Sequence, residues 1–244
     1  MLSQDSSSLR GTGANLTISV HKARWILPIS QPPIANGWVA IDEGKIVALG
    51  SATQSPPLPP IDRGDVAILP GMVNAHTHLE FSHLARPIGN RGLKLHDWIG
   101  QVVRHRQQST INDQAESIAR GLTSSHALGT SLIADIATTP LPALSDTLGA
   151  RADRLNTLPE VIFLAEVLGL VPDRSNEKLR AAAELMEQID GQSYARVGIS
   201  PHAPYSTPMA VVSECVKLAK RRGCLLAMHV AESEEERELI EQGE

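Results

Sequence analysis

Aromatic residues are scarce in this chain: two Phe, three Trp and two Tyr make up 3% of its 244 residues. Base-stacking surfaces need such rings in rows, and no Lys/Arg cluster or stripe supplies phosphate-neutralising charge, so a nucleic-acid partner is set aside. Cysteine is scarcer still. Cys215 and Cys224 lack CxxC spacing and read as reduced core thiols, so nothing argues for an oxidising compartment. No apolar run reaches the roughly 18 residues of a membrane helix, and the N-terminus MLSQDSSSLRGTG has no hydrophobic signal core. The expectation is a cytoplasmic protein with no membrane partner. A nucleophilic-serine GxSxG elbow and a phosphate-cradling GxxxxGK loop are also missing.

What is present is an ordinary globular composition, 42% hydrophobic and 20% charged. The length suggests one to two domains. The formal charge of −5 is uneven: residues 232–244 hold seven Glu and one Arg, which leaves the rest near +1. That is one charged helical face, not an acidic protein.

Residues 1–14 are Ser/Gly-rich and are expected to form a disordered tail. A β-branched run from Leu16 to Leu27 predicts a strand, and GWVAIDEGKIVALG predicts a β-hairpin turning at Asp42-Glu43-Gly44. Four prolines in 54–64 mark a connector. Beyond it the pattern becomes strand and helix in alternation. Strands are expected at VAILPGMVNAH, 131–137, 161–169, 197–200 and 225–230. Helices are expected at about 94–107, 113–128, 140–149, 176–190 and 208–222. Pro208 suits a first helical position, and Ser233 with Glu236 suits a capping box opening the last helix. Short apolar strands alternating with helices predict a parallel sheet buried on both faces. The expected division is 1–14, a β-rich segment 15–65, and an α/β domain 66–244.

Three motifs carry chemistry. In Asn74-Ala75-His76-Thr77-His78, residues i and i+2 of a strand project from one face, so His76 and His78 can place two imidazoles on one ion. Their place at a strand's carboxyl end is where parallel α/β barrels gather catalytic groups. Met228-His229-Val230-Ala231-Glu232 offers a third nitrogen in His229, and three protein ligands plus water is the usual catalytic zinc arrangement. Glu232 is placed to pass protons beside the ion, or else is a carboxylate favoured by a helix N-terminus. Ser200-Pro201-His202-Ala203-Pro204-Tyr205-Ser206 holds His202 between two prolines, as a rigid substrate contact or a capped loop histidine. Trp98, Glu80 and Glu166 are further substrate-contact candidates, although a Trp such as Trp98 on an amphipathic helix is more often core than a substrate contact. Asp135 interrupts an apolar strand and needs a partner if buried. His83, His96, His105 and His126 show no matched spacing.

PGMVNAHTHLEFS, SPHAPYS and HVAESEEE, in this order and each after a strand, resemble the amidohydrolase superfamily. Within it they resemble the cytosine-deaminase-like branch that holds methylthioadenosine/S-adenosylhomocysteine deaminases, aminodeoxyfutalosine deaminases and triazine chlorohydrolases. The resemblance runs from about residue 15 to the end. It implies a small β-sandwich segment leading into a (β/α)8 barrel with one divalent metal, which histidine ligands make zinc or iron before magnesium. It implies that His76, His78 and His229 are the ligands, that Glu232 is the proton shuttle and that His202 contacts substrate. The reaction implied is hydrolysis of a C–N bond on an amino-substituted N-heterocycle such as a purine nucleoside derivative. HTHLEFS looks most like the aminodeoxyfutalosine type.

The pattern of that family continues with a sixth-strand His and an eighth-strand Asp, neither of which falls within these residues. Five strand-helix units are counted where the barrel has eight. The expectation is therefore an incomplete barrel, the N-terminal portion of a longer enzyme, inactive by itself. Alternatives are a chlorohydrolase or other amidohydrolase on the same scaffold, or an inactive metal-binding fragment. The expected partner is a small-molecule substrate, and a homo-oligomer is left open.

Overall fold

The computed structural model describes residues 18–138, 158–189 and 195–243. The expected tail at 1–14 and helix at 140–149 lie outside the described residues. Two compact units divide at Pro70/Gly71.

In the first unit the strands are β1 (Ser19–Lys22), β2 (Trp25–Ile26), β3 (Ile34–Ala35), β4 (Trp38–Asp42), β5 (Lys45–Gly50), β6 (Ile61–Asp62) and β7 (Ala67–Ile68). They form a four-stranded sheet in the order β5-β4-β1-β6 and a three-stranded sheet in the order β3-β2-β7. Val39 and Ile41 of one sheet share an apolar cluster with Ile26, Ile34 and Ile68 of the other. The hairpin β4–β5 turns where the sequence placed it, with Glu43 at φ 46° and Gly44 at φ 75°. Gly44 adopts this left-handed conformation without strain.

VAILPGMVNAH is not one strand. It is β7 in the first unit and β8 (Met72–Thr77) in the second, parted by Pro70-Gly71. Proline lacks the N–H that would continue a ladder.

The second unit follows β8 with a 3-10 turn (Leu79–Phe81), α1 (Leu95–Gln108), α2 (Ile111–Ala127), β9 (Thr130–Ala137), β10 (Glu160–Val167), α3 (Pro172–Ile189), β11 (Ala195–Pro201), α4 (Met209–Arg222) and α5 (Glu234–Gln242). Its four strands are parallel in the order β11-β10-β9-β8. The central strands β9 and β10 are buried on both faces, whereas β8 at the edge is largely exposed. Ile133, Val161, Phe163 and Ile199 pack against Ile118 and Leu122 of α2, Leu185 of α3 and Cys215 and Leu218 of α4. The alternate residues Ala134, Ile136, Ile162 and Leu164 form a smaller cluster on the other face. No helix among the described residues is long and apolar enough to cross a membrane.

The expected fifth strand at 225–230 is not a regular strand. One parallel bridge, Ile199–Leu226, holds it, with Ile199 N–H donating to Leu225 O at 3.0 Å and Ala227 N–H to Ile199 O at 3.1 Å. Among the described residues that bridge is its only sheet pairing. Three helix starts also differ from expectation, α3 beginning at Pro172 and not near 176. Pro208 is the N-cap of α4, with ψ 139°, and not its first residue. α2 begins at Ile111 because Thr110 and Asp113 form a reciprocal capping box.

Candidate active site

His76 lies near the end of β8 and His78 one residue past it, opening the 3-10 turn. His229 arrives from the far side of the sheet, where its N–H donates to His202 O at 2.8 Å. The three rings meet: their centroids lie 5.4 Å (His76–His78), 4.9 Å (His76–His229) and 5.6 Å (His78–His229) apart. One nitrogen from each falls within 4.8 Å of the others. Tetrahedral zinc with Zn–N near 2.0 Å sets its ligands about 3.3 Å apart, within reach of small side-chain rotations.

The donor chemistry fits such an ion. His229 Nδ1–H donates to the His202 carbonyl at 3.1 Å, which fixes the tautomer and leaves Nε2 as the ligand atom. His78 Nδ1 is buried with no hydrogen-bond partner, a cost that coordination would relieve. Burial, then the charge of Arg106 and the neighbouring histidines, pushes His78 down to about 3. Burial, then His229, also lowers His76, against the opposing pull of Glu232. Neutral imidazoles are the form a metal needs.

Around this triangle stand the other candidates. Glu232 is exposed on the turn into α5, reached through Ala231 at φ 62°, and its Oε2 accepts from Tyr205 Oη–H at 2.9 Å. Ser233 Oγ caps α5 by accepting from Glu236 N–H at 3.1 Å. The expected capping box is only half formed, because Glu236 Oε2 accepts from Glu232 N–H at 2.7 Å instead of from the cap residue. The kink at Ala231 presents that N–H first, so the helix cap steadies the Glu232 backbone.

His202 follows β11, and its Nδ1 lies 2.6 Å from Ser206 Oγ. Ser206 Oγ–H donates to Ala203 O at 3.3 Å, so the hydroxyl accepts Nδ1–H and Nε2 carries the lone pair. Burial, then His229, holds His202 below the usual histidine range. Glu166, on the same strand face as Ile162 and Leu164, is buried with neither carboxyl oxygen hydrogen-bonded and lies 4.0 Å from His202 Nε2. Burial, partly opposed by Arg106, pushes it up to about 7. Glu166, His202 and His229 also offer three ligand atoms within 4.8 Å of one another.

Two candidates stand apart from the triangle. Both Glu80 oxygens are taken by protein donors, Oε1 by Arg106 at 2.7 Å and Oε2 by Thr138 Oγ1–H at 2.8 Å. Offered to substrate on sequence grounds, Glu80 is thus engaged inside the fold, where a buried carboxylate needs partners. Trp98 donates Nε1–H to Ile88 O at 2.9 Å and lines a cavity of about 400 Å³ with Phe81, Leu84, Arg86 and Ile88. Phe81 joins that cavity to the histidines, its ring centroid 6.1 Å from that of His78.

Sequence reasoning passed over Tyr205 and Arg106. Tyr205 sits inside the SPHAPYS motif, a signal that was available. Arg106 had none, since its partner Glu80 is 26 positions away. His83 and His105, without matched spacing, stack at 5.3 Å, and His83 Nδ1 lies 3.0 Å from Ser117 Oγ.

Residues 67–244 match the amidohydrolase family, and the chain belongs to that family. It is 31% identical over 188 residues to an aminodeoxyfutalosine deaminase of Deinococcus radiodurans, covering 75% of this chain and 41% of that protein. It is 27% identical over 218 residues to a 5-methylthioadenosine/S-adenosylhomocysteine deaminase of Moorella thermoacetica, covering 85% and 48%. The chain thus spans less than half the length of these two relatives. Among solved structures, an adenosine deaminase from Xanthomonas campestris with bound zinc aligns with TM-score 0.69 at 20% identity, over 92% of this chain and 52% of that one. The fold is of the barrel-like α/β type that amidohydrolases share.

Proposed function

We propose that this chain carries the divalent-metal centre of an aminohydrolase that exchanges the amino group of an N-heterocycle, such as a purine nucleoside derivative, for oxygen from water, releasing ammonia. The observation that carries the reading is the His76–His78–His229 triangle, with one nitrogen of each ring within 4.8 Å of the others. Zinc, or iron, would be held by those three nitrogens, and when bound it supplies Lewis acidity that brings the pKa of water toward 7. Zinc bound in a structural neighbour supports that choice.

The chain's own residues do the rest. Glu232 passes a proton to the ring nitrogen beside the amino-bearing carbon and then to the departing ammonia. Tyr205 holds one Glu232 oxygen and so orients the other. His202 presents Nε2 to the substrate, steadied through Nδ1 by Ser206. Glu166 offers a buried, unpartnered carboxyl to a substrate donor. Trp98 walls the cavity that receives the substrate beyond its ring, and Glu80 enters by anchoring Arg106. In this reading residues 66–244 form part of a barrel and 15–65 a sandwich-type lead-in. A cytoplasmic setting belongs to the same reading, supported by two free cysteines.

The names of the two deaminase relatives support a nucleoside substrate. Incubating the zinc-loaded chain with adenine nucleosides and measuring ammonia tests this, with Glu232→Gln expected to abolish release. Chloride release from a chlorotriazine without ammonia release would overturn it. Metal uptake with neither product would favour a second reading, a metal-binding portion of the enzyme, supported by the 41% and 48% shares of the relatives that the chain spans.

A further inference from the structure

His78 keeps its Nδ1 buried, and Leu79, the residue that follows it, is held at both its N–H and its C=O. Asp135 Oδ1 accepts from Leu79 N–H at 2.7 Å. Ser117 Oγ, on α2, lies 3.1 Å from Leu79 O and 2.8 Å from Glu80 O. Helix α2 approaches the same turn so closely that a Cβ on Gly121 would meet Leu79 Cδ2 at 2.8 Å. The turn is pinned from strand and helix at once.

Asp135 sits opposite Thr77 in the β8–β9 register and is 2% exposed. It shares its strand face with Ile133 and Ala137, which pack against the helices. Glu166 and the residues aligned with it point to the other face. Asp135 therefore cannot meet substrate, and in an apolar strand its carboxyl is the costly choice unless the hydrogen bond is needed.

We propose that Asp135 is a positioning residue for the metal centre: through the Leu79 amide it fixes the backbone that aims His78, with Ser117 holding the turn that follows at the Leu79 and Glu80 carbonyls. Groups that orient metal ligands typically cost 10- to 100-fold in affinity when removed. Here the restraint reaches the ligand through one peptide bond.

The proposal rests on the three-histidine reading, and cobalt(II) separates the two. Cobalt affinity and visible ligand-field bands are measured on the full chain, with circular dichroism to establish folding. Asp135→Ala is expected to weaken cobalt about 10-fold or more and shift the bands. Asp135→Asn, which keeps an oxygen acceptor for Leu79 N–H, is expected to restore both to within about 3-fold of wild type. Ser117→Ala is expected to give a smaller loss and serves if Asp135→Ala does not fold. A folded Asp135→Ala chain with wild-type affinity and bands would overturn the proposal, as would equal losses in the Ala and Asn variants or no effect of Ser117→Ala. No cobalt uptake by the wild-type chain would overturn both this proposal and the three-histidine reading.

Discussion

Tyr205 donates its phenolic hydrogen to Glu232 Oε2 at 2.9 Å, tying the loop after β11 to the turn before α5. Burial, then this bond and the Glu232 charge, pushes the phenol well above its usual range. With Tyr194 replaced by Phe so that Tyr205 alone reports, absorbance at 295 nm should show ionisation above pH 10. Glu232→Gln should move the midpoint down, and an unmoved midpoint would mean that the two side chains do not interact in solution.

Glu166 gives a pH dependence with a definite sign. Its carboxyl is pushed up to about 7 by burial, from 4.5. The folded chain therefore binds the proton more tightly than the unfolded chain, and stability falls as pH rises from about 4.5 to about 7. Roughly 3 kcal/mol is the upper scale of that loss for Glu166 alone. Urea titrations of the metal-free chain across this range should show the slope, and Glu166→Gln should flatten its share of it.

Arg106 and Glu80 form a 2.7 Å ion pair whose side chains are 26% and 5% exposed. Removing one partner strands the other, so Arg106→Met should cost about 3 kcal/mol. Adding Glu80→Gln should recover much of that loss, because the stranded charge is gone. A double-mutant cycle by urea denaturation would read the coupling, and additive effects would show that the pair contributes nothing.

Gly198 lets the segment carrying His229 approach β11. A Cβ there would meet Leu225 O at 2.7 Å and Leu164 Cδ2 at 2.6 Å. Gly198→Ala should therefore cost about 1–3 kcal/mol by overpacking. It should also weaken metal uptake by displacing His229, measurable by isothermal titration. Unchanged affinity would mean that His229 is positioned independently of that edge.

Much of the site was legible because its strongest signals are local. His76-Thr77-His78 needs only the two-residue strand period, and His229 and Glu232 declare themselves within five positions of one motif. The apolar strands announced a sheet covered on both faces, as β9 and β10 are. What escaped depends on pairing across the chain: Glu80 with Arg106, 26 positions apart, and Tyr205 with Glu232, 27 apart. The need of Asp135 for a partner was readable; the partner, Leu79, is 56 positions away. The apolar run 225–230 read as regular β structure, although its sheet pairing is a single bridge, Ile199–Leu226.

The central claim is that His76, His78 and His229 together hold one divalent ion. Titrating the metal-free chain with cobalt(II), while following its ligand-field absorption, tests this directly. One ion per chain should bind with nitrogen-ligand bands, and His78→Ala combined with His229→Ala should abolish them. Failure of the wild-type chain to bind, or uptake with unchanged bands in the double variant, would contradict the account.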